Sequence, residues 1–254
     1  MKNHFDLTGK VALVTGGSRG MGKEIVKAFA DAGADVMIVS RKGDACKTLA
    51  EEIENTTGRK ALGYAAHVGR WDELDGVVDA AYHHFGRVDI LVNNAGMSPL
   101  YKDLVGVTED LYDKVLNVNL KGPFRLMSLV GTRMFEGEGG SIINMSSVAS
   151  FHPTGGTIPY AGAKAGLNAM TVGFAHAFGP NVRVNCIVPG PFLTDISKAW
   201  DMEAFNKGAK KRMALQRGGQ ANEIVGAALY FASDASSFTT GALLRVDGGD
   251  RITG

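Results

Sequence analysis

Cysteine is scarce in this chain: only Cys46 and Cys186, far apart, occur in 254 residues. Neither belongs to a CxxC or zinc-like pattern, so a disulfide scaffold and a zinc ribbon are excluded. Two reduced, structural thiols in a cytoplasmic protein are the expectation. No block of five like charges occurs, and the formal net charge is +1. A nucleic-acid arm and a patch for an anionic membrane surface are therefore not expected. Long apolar runs are missing too; those present are strand-sized and cannot span a bilayer. Residues 1–6 lack the apolar core of a secretory signal. The six histidines show no HExxH or paired ligand spacing, so no metal site is expected. No Gly-x-Ser-x-Gly elbow surrounds Ser147, which argues against a serine hydrolase. Internal repeats and linkers are absent, so residues 1–254 read as one domain.

Glycine is what the chain has in excess, at 34 residues, clustered rather than periodic. Clustered glycines mark tight turns and close backbone approaches. Around them, strand-like apolar runs alternate with helical stretches. Strands are expected at 11–14, 36–39, 61–65, 88–92, 141–145, 182–187 and 242–246. Helical spacing covers 24–32, with Ile25, Phe29 and Ala32 on one face and Gly33 as the stop. Further helices are expected around 48–54, through Leu74, Val77, Val78 and Ala81, at 160–178 and at 223–231. Thr108 reads as the N-cap of a long helical region through Leu111, Val115 and Val118 to Met134. Strand–helix alternation with strands apolar on both faces predicts a doubly wound, mostly parallel sheet of about seven strands covered by helices on both faces. Ligands of such sheets lie at the carboxyl ends of the strands. Only residues 190–219 break the alternation.

The motifs fall where that rule puts a site. After the first strand comes Thr15-Gly16-Gly17-Ser18-Arg19-Gly20-Met21-Gly22. A glycine-rich turn between strand and helix points backbone N–H groups at a pyrophosphate, at the positive end of the helix. The spacing Gly-x3-Gly-x-Gly differs from the common dinucleotide fingerprint. Tyr160 and Lys164 lie four apart on an expected helix and share a face. Alone that pair carries little; Ser147 stands thirteen residues earlier, at an expected strand end. Reducing a carbonyl needs a hydride at carbon and a proton at oxygen. A phenol near pKa 10 shuttles protons poorly at neutral pH. A nearby ammonium favours phenolate, and a three-unit drop needs roughly 4 kcal/mol.

These residues resemble the classical short-chain dehydrogenase/reductase family over nearly the whole chain and in the family's usual order. The resemblance rests on the glycine turn, Asn93-Asn94-Ala95-Gly96, Asn119, Ser147, Tyr160, Lys164, Pro189-Gly190 and Asp247-Gly248-Gly249. It implies a single Rossmann-like domain that moves a hydride between a nicotinamide and a carbonyl/alcohol pair. It implies Tyr160 as acid/base, with Lys164 lowering its pKa and holding the nicotinamide ribose. Ser147 then bonds the substrate oxygen and Asn119 places a relaying water. Gly16, Ser18, Arg19, Gly20, Met21 and Gly22 are expected around the pyrophosphate, and Asn93, Ala95 and Gly96 beside the adenosine ribose. Pro189 and Gly190 are expected beside the nicotinamide, with residues 187–196 lining it and Thr194 reaching its carboxamide.

The cofactor expected is NADP(H), with NAD(H) the alternative. The second strand ends Val39-Ser40-Arg41-Lys42, without the carboxylate that would bind a ribose 2′-hydroxyl and repel a 2′-phosphate. Arg41, Arg19 and Ser40 could grip that phosphate. One departure concerns His67-Val68, where the family has Asp and an apolar residue; a neutral imidazole could accept from the adenine amino group. Residues 190–219 are expected to form a substrate lid carrying Phe192, Leu193, Trp200, Met202, Phe205 and Met213. Met97, Phe151, His152 and Thr154 should face the same, mostly apolar pocket. A fatty acyl thioester, a cyclic or aromatic ketone and a polyol all stay open as the small-molecule partner. Carbon–carbon double-bond reduction needs a differently arranged Tyr and Lys. A cofactor-binding sensor without turnover is the alternative from another class, though it would need no proton relay. The family commonly forms tetramers, so a homotetramer is expected, with a homodimer as the smaller assembly.

Overall fold

A computed structural model describes residues 3–195, 197 and 200–250. Ile196, expected beside the nicotinamide, lies outside these. Five consecutive residues, Val11–Thr15, are buried, and a strand with no wet face must be covered on both sides. This is β1. The strands that follow are β2 (Asp35–Ser40), β3 (Ala61–Ala65), β4 (Ile90–Asn93), β5 (Gly140–Met145) and β6 (Val182–Pro189). β7 (Phe192–Leu193) and β8 (Gly219–Gln220) form a separate small pair, and β9 (Leu243–Val246) closes the series.

The main sheet has the order β3-β2-β1-β4-β5-β6-β9, and every pairing is parallel. Helices cover it: α1 (Gly20–Asp31), α2 (Gly43–Thr57), α3 (Glu73–Phe85), α4 (Glu109–Leu116), α5 (Gly122–Glu136), α6 (Ile158–Phe178), α7 (Met202–Arg212) and α8 (Val225–Ala232). Alternation along β1 sends Ala12 and Val14 into one core, with Ile25, Phe29, Ile53 and Phe231 from α1, α2 and α8. It sends Leu13 into the other, with Val77, Leu126 and Leu167 from α3, α5 and α6. Chain direction reverses its winding between β1 and β4, so the crevice opens at the carboxyl ends of those two strands.

Two elements depart from the sequence reading. The long helical region after Thr108 is not one helix. Thr108 does cap α4, accepting from the Leu111 N–H, but Asn117–Lys121 form a π turn before α5 begins. And residues 190–219 contain a full helix, α7, capped by Asp201, whose side chain accepts from the Ala204 N–H. Only Ala209 of α7 is buried, so the helix has no apolar stripe for a periodicity reading to find.

Candidate active site

The glycine turn and the start of α1 form an open donor array. The N-cap residue, Arg19, makes no side-chain cap, and no acidic residue sits in the first helical turn. The leading N–H groups, including that of Met21, are thus available to an anion, in the field of the helix. The glycines are required by contact as well as conformation. Gly16 and Gly20 have φ of +64° and +52°. A Cβ on Gly22 would lie 2.2 Å from the Gly16 carbonyl oxygen and 2.5 Å from Asn94 Nδ2. Thr15 and Asn94, both within the motifs, shape this turn. Asn94 Nδ2 donates to the Thr15 and Gly16 carbonyls at 2.9 and 3.1 Å. The Thr15 hydroxyl accepts from the N–H groups of Asn94 and Ala95 at 3.0 and 3.1 Å. The turn after β1 is thereby fastened to the turn after β4, across the switch point.

At the end of β2, Arg41 is exposed and forms no ion pair with another described residue. Beside it the Ser18 hydroxyl donates to Ser40 Oγ at 2.9 Å, and Ser40 Oγ also lies 3.0 Å from the buried Cys46 Sγ. These residues fit a phosphorylated ribose: a cation, two hydroxyls and no carboxylate. Arg19 stands at the N-cap of α1, in an exposed ion pair with Asp195 at 3.5 Å. Thr194 stands over Gly20, its Cβ 3.5 Å from where a Cβ on that glycine would be.

His67 corrects the expectation that its ring accepts from an amino group. The Gly69 N–H donates to His67 Nδ1 at 3.0 Å. A neutral imidazole has one acceptor nitrogen, and here the backbone occupies it, which leaves Nε2 as a donor for a ligand. The His67 N–H in turn donates to Glu73 Oε2 at 2.7 Å. Val68 is buried in the core, leaving only its backbone for a ligand. Asn93 likewise turns to the interior: its Nδ2 donates to Asn144 Oδ1 at 2.9 Å, and Asn144 donates onward to Thr171. The close backbone approach falls at Gly96, where a Cβ would lie 3.0 Å from Asn119 Oδ1 and 3.6 Å from Lys164 Nζ.

The four residues expected to do chemistry converge at the ends of β4, β5 and α6. Lys164 is 2% exposed, and its ammonium donates to the Met145 carbonyl at 2.7 Å. Its Nζ lies 5.8 Å from the centroid of the Tyr160 ring. Burial lowers the Lys164 pKa to about 8, with Cys186 pulling weakly the other way. Ser147 caps a short 3-10 turn, accepting from the Ala149 N–H at 3.2 Å. Burial pushes the Tyr160 phenol above its ordinary pKa, and its hydrogen bond with Ser147 opposes that. The depression expected from Lys164 is therefore not produced by the protein alone; loss of solvent outweighs the hydrogen bond to Ser147.

Asn119 is fully buried inside the π turn. Its amide clamps Met97 in both directions: Nδ2 donates to the Met97 carbonyl at 2.8 Å, and Oδ1 accepts from the Met97 N–H at 3.2 Å. A third bond runs from Nδ2 to the Val115 carbonyl. Single-turn π segments recur at functional sites because they re-aim a few backbone groups.

The far wall is built from the 190–219 segment. Pro189 ends β6, and the Gly190 N–H donates to the Val246 carbonyl at 3.0 Å. A Cβ on Gly190 would lie 2.7 Å from the Asp247 Cα, so only glycine lets the chain pass there. Of the expected pocket residues, Phe192 and Met213 are buried in the body of the protein. Trp200 and Phe205 pack on each other, centroids 5.2 Å apart. Phe151, His152 and Thr154 are exposed at the opposite wall, and Met97 packs against the core.

Residues 16–250 match the family model described as enoyl-(acyl carrier protein) reductase. The chain belongs to the classical short-chain dehydrogenase/reductase family. It is 37% identical over 246 residues to 3-oxoacyl-(acyl-carrier-protein) reductase FabG of Chlamydia trachomatis serovar D, covering 96% of this chain and 98% of that protein. Its fold superposes on a 7 alpha-hydroxysteroid dehydrogenase complexed with NADH and 7-oxo glycochenodeoxycholic acid, with a TM-score of 0.94 and 32% identity over 100% of this chain and 99% of that one. It superposes similarly on a gluconate 5-dehydrogenase from Burkholderia cenocepacia in complex with NADP and tartrate: TM-score 0.92, 33% identity, 97% and 96% covered. As a short-chain dehydrogenase/reductase, the chain is a hydride-transferring oxidoreductase acting on C=O or CH–OH groups. Among its described residues no helix is long and apolar enough to cross a membrane.

Proposed function

We propose that the chain is an NADP(H)-dependent carbonyl reductase or alcohol dehydrogenase. The observation that carries the reading is the convergence of a buried Lys164, the Tyr160 phenol and Ser147 beside an uncapped helix start. NADP(H) over NAD(H) is supported by Arg41, which is exposed at the end of β2 with no carboxylate on that strand's end to repel a phosphate. Gluconate 5-dehydrogenase with NADP is one similar protein that points the same way.

In this reading the α1 start and Gly16–Gly22 turn hold the pyrophosphate, and Ser18, Ser40 and Arg41 hold the 2′-phosphate. Gly96 and Ala95 let the ribose approach, Gly190 and Thr194 border the nicotinamide, and Lys164 holds its ribose. The nicotinamide, when bound, supplies the hydride to the carbonyl carbon. Ser147 donates a hydrogen bond to the substrate oxygen, and Tyr160 delivers the proton there. Burial keeps the phenol protonated and so able to give its proton, and the charge left on Tyr160 would be offset by the Lys164 ammonium, protonated below about pH 8, together with the positive charge of the oxidised nicotinamide. Because the Asn119 amide is occupied by Met97 and Val115, a relaying water would be held by backbone of the π turn. In the opposite direction the same groups take the proton from an alcohol.

Double-bond reduction is named in the description of the family model, but the four-residue Tyr160–Lys164 interval favours the carbonyl reaction. A cytoplasmic location and a homotetramer built through α5, α6 and β9, or a homodimer, belong to the same proposal. Exposed Phe124, Val172 and Leu244 on those elements suit contact between copies. The test is a panel of ketones, 3-oxoacyl thioesters, polyols and enones with each reduced nicotinamide. Oxidation of NADPH by a carbonyl compound supports the proposal; turnover confined to enones, or with none of the panel, overturns it.

A further inference from the structure

The start of α6 needs a donor satisfied from outside. Thr157, at the N-cap, makes no side-chain cap, because its hydroxyl is engaged with Thr154 at 3.1 Å. Pro159 brings no N–H. The Ile158 N–H, which has no partner within the helix, is taken up by the Tyr101 phenolic oxygen at 3.0 Å. The same hydroxyl donates to the Gly155 carbonyl at 2.6 Å. Tyr101 is more than fifty residues away in sequence, in the loop between β4 and α4. Ser98 and Tyr101 from that loop, with Thr157 and Tyr160 from the start of α6, line one small cavity.

We propose that Tyr101 is a positioning residue for the reaction. Its hydroxyl caps the catalytic helix from across the cleft and pins the two cleft walls together, which fixes the Tyr160 phenol relative to Ser147. Nothing else among the described residues does this job for the loop. Its remaining hydrogen bonds between residues 98 and 107 are local, from Gly106 to Asp103 and from Val107 to Leu104. Leu100, Leu104 and Val105 in the same loop are exposed and give it little packing. A sub-ångström loss of registry between proton donor and substrate is costly to rate while leaving cofactor affinity alone. The inference rests on Tyr160 being the proton donor.

The experiment compares wild type with Tyr101→Phe, which keeps the ring and removes the hydroxyl. Amide hydrogen exchange should quicken about tenfold in residues 97–108 and 154–161 together and stay unchanged in the sheet. Turnover should fall about tenfold, with NADPH affinity and melting temperature close to wild type. Unchanged exchange, or turnover within twofold of wild type, overturns the positioning role. A turnover loss matched by equal weakening of NADPH binding also overturns it, since that is general disruption. A wild type that reduces no carbonyl sinks the functional reading and this role with it, a distinct result. If Tyr101→Phe does not fold, wild type decides: the Ile158 amide must exchange about a hundredfold slower than an unstructured one, and fast exchange overturns the tether.

Discussion

The Lys164 nitrogen stands 5.8 Å from the centre of the Tyr160 ring, one helical turn along the same face of α6. Burial moves the two groups in opposite senses, lysine down to about 8 and phenol up. In each case the neutral form gains, because charge is expensive without solvent. A proton donor and a removable positive charge are thus held together before any ligand adds its own.

That burial has a stability signature. Below about pH 8 the folded and unfolded chains both hold the Lys164 proton, and above 10.5, its ordinary value, neither does. Between these limits the unfolded chain binds more protons, so stability attributable to Lys164 rises with pH, by roughly 3 kcal/mol in all. Cys186, pushed up to about 12, works in the opposite sense above its ordinary value. Because the thiol is coupled to Lys164, the comparison with Lys164→Met is read below the thiol's ordinary value of 9.0. Urea unfolding from pH 7 to about 9 should show wild type gaining on Lys164→Met as pH rises; a constant gap means the lysine is not desolvated.

Arg41 is exposed and unpaired among the described residues, so replacing it costs no internal contact. Arg41→Ala should weaken NADPH binding about tenfold and leave NADH within twofold. Titration of each reduced cofactor by fluorescence measures this. Equal weakening of both would remove Arg41 from phosphate recognition.

His67 presents a donor because the Gly69 N–H occupies Nδ1. NADPH and its 6-oxo purine analogue should therefore bind wild type within about threefold of each other. His67→Asp supplies an acceptor and should favour the 6-amino base by about tenfold, the worth of one hydrogen bond in a partly dry site. A base preference identical in both proteins contradicts the assigned polarity.

Gly22→Ala tests the glycine turn itself. Its Cβ would meet the Gly16 carbonyl oxygen at 2.2 Å, a backbone atom that cannot swing aside. Unfolding free energy should drop by about 3 kcal/mol, with loss of NADPH binding. A loss below about 1 kcal/mol would show the turn to be looser than described.

Much of this was legible from local pattern. The third strand is read from sequence with its observed bounds, Ala61–Ala65, and Gly33 stops α1 because its φ of +101° suits glycine. The convergence of Tyr160, Lys164, Ser147 and Gly96 follows from motifs at strand ends. What escaped depends on contacts that no window contains. The π turn at Asn117–Lys121 is invisible because Leu111, Val115 and Val118 keep helical spacing straight into it. The polarity of His67 is set by a backbone N–H two residues away, and the role of Tyr101 by a fold that brings position 101 to position 158. Phe192 and Met213 are expected in a lid from the family resemblance, yet both are buried.

The central claim is that the Tyr160 hydroxyl supplies the proton. It is tested most directly by carbonyl-dependent NADPH oxidation in wild type and Tyr160→Phe, with NADPH affinity measured on both. The account predicts a rate lower by about a thousandfold or more with affinity within twofold. A phenylalanine variant that turns over near the wild-type rate would contradict it.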